Sequence, residues 1–78
     1  MRTKKSNRVA TVHIGKRFRQ FRKKSGLNQL EVGKLLGLHQ GAISRIENGR
    51  QNLTPDQLLK AARIFRGGIS LFFKGIDS

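Results

Sequence analysis

Residues 28–49, NQLEVGKLLGLHQGAISRIENG, decide the fold. Asn28 is a good helix N-cap, and Glu31, three positions on, can reach back to the cap N–H. The spacing predicts a helix to about Leu36, with Val32, Leu35 and Leu36 facing inward. Gly37-Leu38 breaks it, Gly37 permitting the positive φ that a tight turn needs. A further helix is expected from His39 or Gln40, burying Ile43 and Ile46 and stopping at Asn48-Gly49. Gly33 lies inside the first of the two helices, where glycine costs about 1 kcal/mol relative to alanine. Close approach of the following helix is the expected compensation. Leu38, Ile43 and Ile46 fill the wedge between the helices. The face left over on the second carries Gln40, Gly41, Ser44 and Arg45, which are small or are hydrogen-bonding groups able to reach base edges in a major groove.

Outward from this pair, the pattern stays helical. Upstream, Ile14, Phe18 and Phe21 recur at helical spacing, predicting a helix from Val12 that Ser25-Gly26 ends, with Leu27 as a buried anchor. Residues 1–11 show no apolar period and read as a flexible basic arm. Downstream, Thr54-Pro55-Asp56-Gln57 combines a capping hydroxyl, a proline at the first helical position, an acid in the first turn and a glutamine at the third. It predicts a helix from Pro55 to about Phe65 that buries Leu58, Ala61 or Ala62, and Phe65. After the turn at Arg66-Gly67-Gly68, Ile69 to Phe73 reads as a short fifth helix. The expectation is an all-α, five-helix domain over residues 12–74, preceded by the arm and followed by a frayed tail at 75–78.

Composition excludes several chemistries. The chain has 78 residues, 17 Lys and Arg against 4 Asp and Glu, and a formal charge of +13. That length holds one small core. The absence of cysteine removes disulfides, thiol catalysis and cysteine-type zinc sites. His13 and His39 lie far apart in the sequence, and no metal or other cofactor is expected. The four carboxylates are dispersed, and no serine is placed with a histidine and an acid in a recognisable motif, so no enzyme activity is expected. No apolar run approaches the roughly 18 residues of a membrane span, and the basic start lacks the apolar stretch of a secretion signal. A cytoplasmic, nucleoid-associated location is expected. Ten of the 17 cations fall in the first 24 residues, which hold no acid. A surface this positive repels itself, and an anionic partner such as nucleic acid relieves that repulsion.

The residues from Ile14 to Phe73 resemble the Cro/C1-type, or XRE-like, helix-turn-helix family of phage repressors and bacterial regulators. The matching residues are Phe21-Arg22, Gly26-Leu27-Asn28-Gln29, Gly37-Leu38, Gln40, and Ile43-Ser44-Arg45-Ile46-Glu47-Asn48-Gly49. The resemblance implies a compact lambda-repressor-like DNA-binding domain. It implies that Gln40, Gly41, Ala42 and Arg45 read bases, Gln40 facing adenine and Arg45 facing guanine, or holding a phosphate if it swings outward. It further implies that Asn28, Gln29 and Ser44 hold phosphates, with Arg50 and Asn52 gripping the backbone from the following loop. Gln29 and Gln40 would bond each other, and Arg22 and Glu47 would form a structural ion pair between the first and third helices. Four residues depart from the family pattern. His39 replaces the usual Ser or Thr cap, Gly41 and Ala42 replace larger polar readers, and Leu30 stands where a polar residue is usual.

The function expected from these readings is a sequence-specific regulator of transcription that binds double-stranded DNA. It would act as a homodimer on two half-sites, paired through Phe72 or Phe73. The alternative is an antitoxin that binds a toxin protein, through Leu30 and the Phe72-Phe73 pair, and represses its own operon. Non-specific nucleoid or RNA binding draws only on the charge. Membrane binding by residues 13–24 is disfavoured, because their apolar face is needed for the core.

Overall fold

The computed structural model describes residues 2–67 and 69–72. Four α-helices follow one another: α1, Arg2–Lys24; α2, Gln29–Leu36; α3, Gln40–Glu47; and α4, Pro55–Ile64. A four-residue 3-10 turn, Ile69–Phe72, closes the described chain, and there is no strand among the described residues.

The two caps form as their sequences dictate. Asn28 accepts from the Glu31 N–H at 2.7 Å while the Glu31 carboxylate accepts from the Asn28 N–H at 2.8 Å. Thr54 and Gln57 make the same reciprocal pair at 3.1 and 2.9 Å. All four helices then end in the same way, with a left-handed residue whose successor's N–H bonds back to a carbonyl five positions earlier. These bonds are Leu27 to Arg22, Leu38 to Gly33, Arg50 to Arg45 and Gly67 to Ala62. Glycine occupies the left-handed position three times, and Arg66, at φ 59°, occupies it after α4.

The core is one cluster built on Phe18, Val32, Leu36, Ile43, Ile46, Leu58, Ala61, Ala62, Phe65 and Phe72. Four phenylalanine rings tie α1 to α4 and the 3-10 turn. Phe18 meets Phe65 edge-on at 5.3 Å between centroids, while Phe72 lies 6.3 Å from both Phe21 and Phe65. The Arg17 guanidinium covers the outer side of this cluster, 5.1 Å from the Phe21 ring centre.

Four expectations need correction. First, α1 begins at Arg2, so residues 2–11 are helical where the sequence reads as an arm. Apolar periodicity reports what a helix packs against, not whether the backbone is helical, and no proline interrupts this run. Second, Leu35 is 56 % exposed. Val32, Gly33 and Leu36 alone fill the inner stripe of the short α2. Third, the fifth helix is a 3-10 turn. Fourth, Phe72 is fully buried and therefore unavailable to a second subunit or a toxin. Phe73 and the expected tail lie outside the described residues. Leu30, at 51 % exposure, does face solvent.

Two glycines fix helix spacing. A Cβ at Gly33 would stand 2.5 Å from the Leu38 carbonyl oxygen, so the α2–α3 turn folds back onto this position. A Cβ at Gly15 would overlap the Ile46 carbonyl oxygen, which means that α1 and α3 touch backbone to backbone. Alanine is the better helix former by about 1 kcal/mol, yet here its methyl group meets main chain that cannot rotate away. Gly15→Ala should therefore destabilise the domain by about 1–3 kcal/mol in urea unfolding. A gain in stability would show that the two helices can move apart at little cost.

Candidate nucleic-acid interface

The interface is built from the ion pair outward. Arg22 leaves α1 in the turn before Gly26, and Glu47 is the last residue of α3. Both are 8 % exposed. The Arg22 Nε donates to Glu47 Oε2 at 2.5 Å and Nη2 donates to Oε1 at 3.0 Å, a two-point pairing of planar groups. The Arg22 Nη1 donates to the Leu27 carbonyl at 2.9 Å. The pair thus ties α1, the α1–α2 turn and the end of α3 together.

From Glu47 a chain of hydrogen bonds runs to the surface. Glu47 Oε1 also accepts from Gln29 Nε2 at 3.1 Å. Gln29 Oε1 accepts from Gln40 Nε2 at 3.4 Å. This fixes which end of each amide points where. Gln29 is half-buried, and Gln40 is exposed at the first position of α3. Gln40 retains its carbonyl oxygen and one N–H for an outside partner.

The rest of the α3 face is arranged around Arg45. Its Nε donates to Gln51 Oε1 at 2.9 Å. One terminal nitrogen, Nη1, lies 3.5 Å from where a Gly41 Cβ would be. The guanidinium is thus laid back along α3 over the glycine, at a distance that a Cβ there would meet in ordinary contact. Ser44 sits between these groups, accepting at both its carbonyl and its hydroxyl from Asn48 Nδ2, at 2.9 and 3.4 Å. Ala42 is different. It is 7 % exposed and turned into the fold, so packing withdraws it from the base-reading set.

Asn28, Arg50 and Asn52 are all exposed, at the start of α2 and in the loop after α3. The Asn28 oxygen is used in the cap, and its amide nitrogen remains a donor. Asn52 Oδ1 accepts from Thr11 Oγ1 at 2.5 Å, fastening the loop to α1 and leaving the Asn52 amide to donate. His39 precedes α3 without a side-chain capping bond, so α3 begins at Gln40 without a displaced start. The sequence reading missed Gln51 and Asn48, which orient Arg45 and Ser44. Their only signal was that polar, amide-bearing residues cluster around the end of α3.

Among the described residues, no group of three or more histidine, aspartate or glutamate residues could hold a metal ion, and no helix is long and apolar enough to cross a membrane. A family model described as helix-turn-helix matches residues 18–72. The fold is similar to the crystal structure of the restriction-modification controller protein C.AhdI from Aeromonas hydrophila. The two are 28 % identical, with a TM-score of 0.73 over 81 % of this chain and 96 % of that one. No curated protein matches the sequence.

Proposed function

We propose that this chain, which belongs to the helix-turn-helix family of Cro/C1 type, is a DNA-binding regulator of transcription that reads its sites through α3. The observation that carries the reading is the chain from Glu47 through Gln29 to Gln40. Adenine offers a donor at N6 and an acceptor at N7 in the major groove. The outward Gln40 amide offers the complementary acceptor and donor, already oriented. Arg45, its Nε engaged by Gln51, keeps its terminal nitrogens for guanine O6 and N7. Asn28, Gln29, Ser44, Arg50 and Asn52 surround α3 with donors for phosphates, and the free N–H groups at the start of α2 suit the same anions.

The regulator acts as a homodimer. Two copies of α3 would enter successive major grooves, with half-sites about 34–36 Å apart. At +13 per chain, the subunits repel one another until DNA neutralises them. The likeness to a restriction-modification controller makes control of restriction-modification genes the favoured role.

The test is selection of bound fragments from a DNA pool at near-physiological salt, with excess competitor. An enriched inverted repeat is expected, and binding without enrichment would overturn the reading. On the enriched duplex, Gln40→Ala should lose about 1–3 kcal/mol of discrimination at one base pair in each half-site. The dependence on salt should not change, because no phosphate contact is removed. Equal affinity of the variant and the parent for every single-base substitution would remove Gln40 from the reading surface.

A further inference from the structure

We infer that Lys16, Arg19 and Lys23 of α1 form a second phosphate-binding surface, which holds the DNA backbone beside the stretch that α3 reads. The inference rests on the reading of the chain as a DNA-binding protein and adds a contact outside the helix-turn-helix.

The three cations stand at i, i+3 and i+7, on one face of α1. They span about 10 Å along the helix axis. All three are exposed. They line an open hollow of about 560 Å³ whose other wall is Glu47 and Asn48, at the end of α3. A smaller hollow of about 170 Å³ adjoins it, lined by Arg19, Arg22, Gln29, Glu47 and Asn48. Gln29 and Asn48 belong to the reading face, through their bonds to Gln40 and Ser44. The cationic surface therefore runs without a break into the surface that faces the bases.

Charge selects the occupant. Among the described residues, Glu47 is the one acid lining either hollow, and Arg22 and Gln29 already occupy its oxygens. An anion placed here meets three cationic side chains and no free carboxylate. The hollow is open and shallow, which suits a sugar-phosphate strand crossing it. Lys and Arg on an exposed helix can reach such a strand while their stems stay on the protein surface. Contacts of this kind fix register and add affinity without carrying sequence information.

The experiment compares two triple variants with the parent on a duplex of arbitrary sequence. One is Lys16→Gln/Arg19→Gln/Lys23→Gln. The other, Lys34→Gln/Lys60→Gln/Arg63→Gln, removes the same charge from exposed positions on α2 and α4. Circular dichroism establishes that each variant is folded, and the single substitutions serve where a triple is not. Each lost phosphate contact lowers the slope of log affinity against log salt by about 0.9. The first triple should therefore lose up to about 2.7, which makes the parent's affinity fall about 40-fold further than the variant's over a fourfold rise in salt. The second triple should change the slope much less. On a duplex selected for tight binding, the first triple should keep the parent's ranking of base substitutions.

Equal slopes for the two triples would overturn the inference and assign the effect to net charge. A slope like the parent's for the first triple would overturn it as well, and would leave this face to an acidic protein or to solvent. Failure of sequence-specific reading would appear separately, as a parent protein that ranks no sequence above another, and the comparison on arbitrary duplex would still decide the role of the three cations.

Discussion

Glu47→Ala should lower the stability of the domain by about 3–5 kcal/mol. The alanine leaves the Arg22 guanidinium buried, with two of its hydrogen bonds gone and no counter-charge. Gln29 loses its acceptor at the same time. A chain of this size has roughly 0.05–0.15 kcal/mol of stability per residue, so the loss removes much of the total and is expected as a large fall in the urea midpoint. Glu47→Gln should cost less than Glu47→Ala, since one amide oxygen can still accept. Replacing both partners with apolar residues, as in Arg22→Met/Glu47→Leu, should recover most of the loss, because no charge is then left alone in the interior. The cycle through both single variants gives the coupling of the pair. A Glu47→Ala cost below about 1 kcal/mol would place the pair with solvent-screened surface pairs, against the burial of both side chains.

Phe18→Ala should be comparably damaging, at about 3–5 kcal/mol. Phe18 has no exposed surface and joins α1 to α4 through its edge-on contact with Phe65. Removing the ring opens a cavity between elements that few other side chains connect, and the neighbouring rings Phe21 and Phe72 lean on the same cluster through Phe65. Phe18→Leu fills most of the space and should cost less than about half as much. The measurement is again equilibrium unfolding. An alanine variant as stable as the leucine variant would mean that the cluster collapses onto the gap.

Much of the architecture is written locally and can be read there. Asn28 with Glu31, and Thr54 with Gln57, are pairs three residues apart whose geometry depends on almost nothing else. Ile43 and Ile46 face inward because the eight-residue α3 has only one apolar stripe. The arrangement of Arg22, Glu47, Gln29 and Gln40 is legible only by likeness to a family, since its members come from three helices. Other features need the fold. Leu35 and Leu36 are adjacent and equally apolar, and the direction of α2 decides between them. Gly15 looks like an ordinary weakness in a helix until α3 is laid against it. Ala42 stands in the sequence among residues expected to read bases, but α3 turns it inward with Ile43. The roles of Gln51 and Asn52 depend on where the loop after α3 meets Arg45 and Thr11.

The amide chain from Glu47 to Gln40 has a consequence for how this protein could change its target. Gln40 is held, through Gln29, by the carboxylate that neutralises Arg22, so on the proposed reading its base preference is anchored to the folding of the domain. Arg45 and Gly41 have no such anchor, since they rest on each other and on Gln51 at the surface. A lineage of such regulators would then carry an address with one conserved letter and others free to drift. New sites would arise by exchange at positions 41, 45 and 51, while the letter set by Gln40 stays the same.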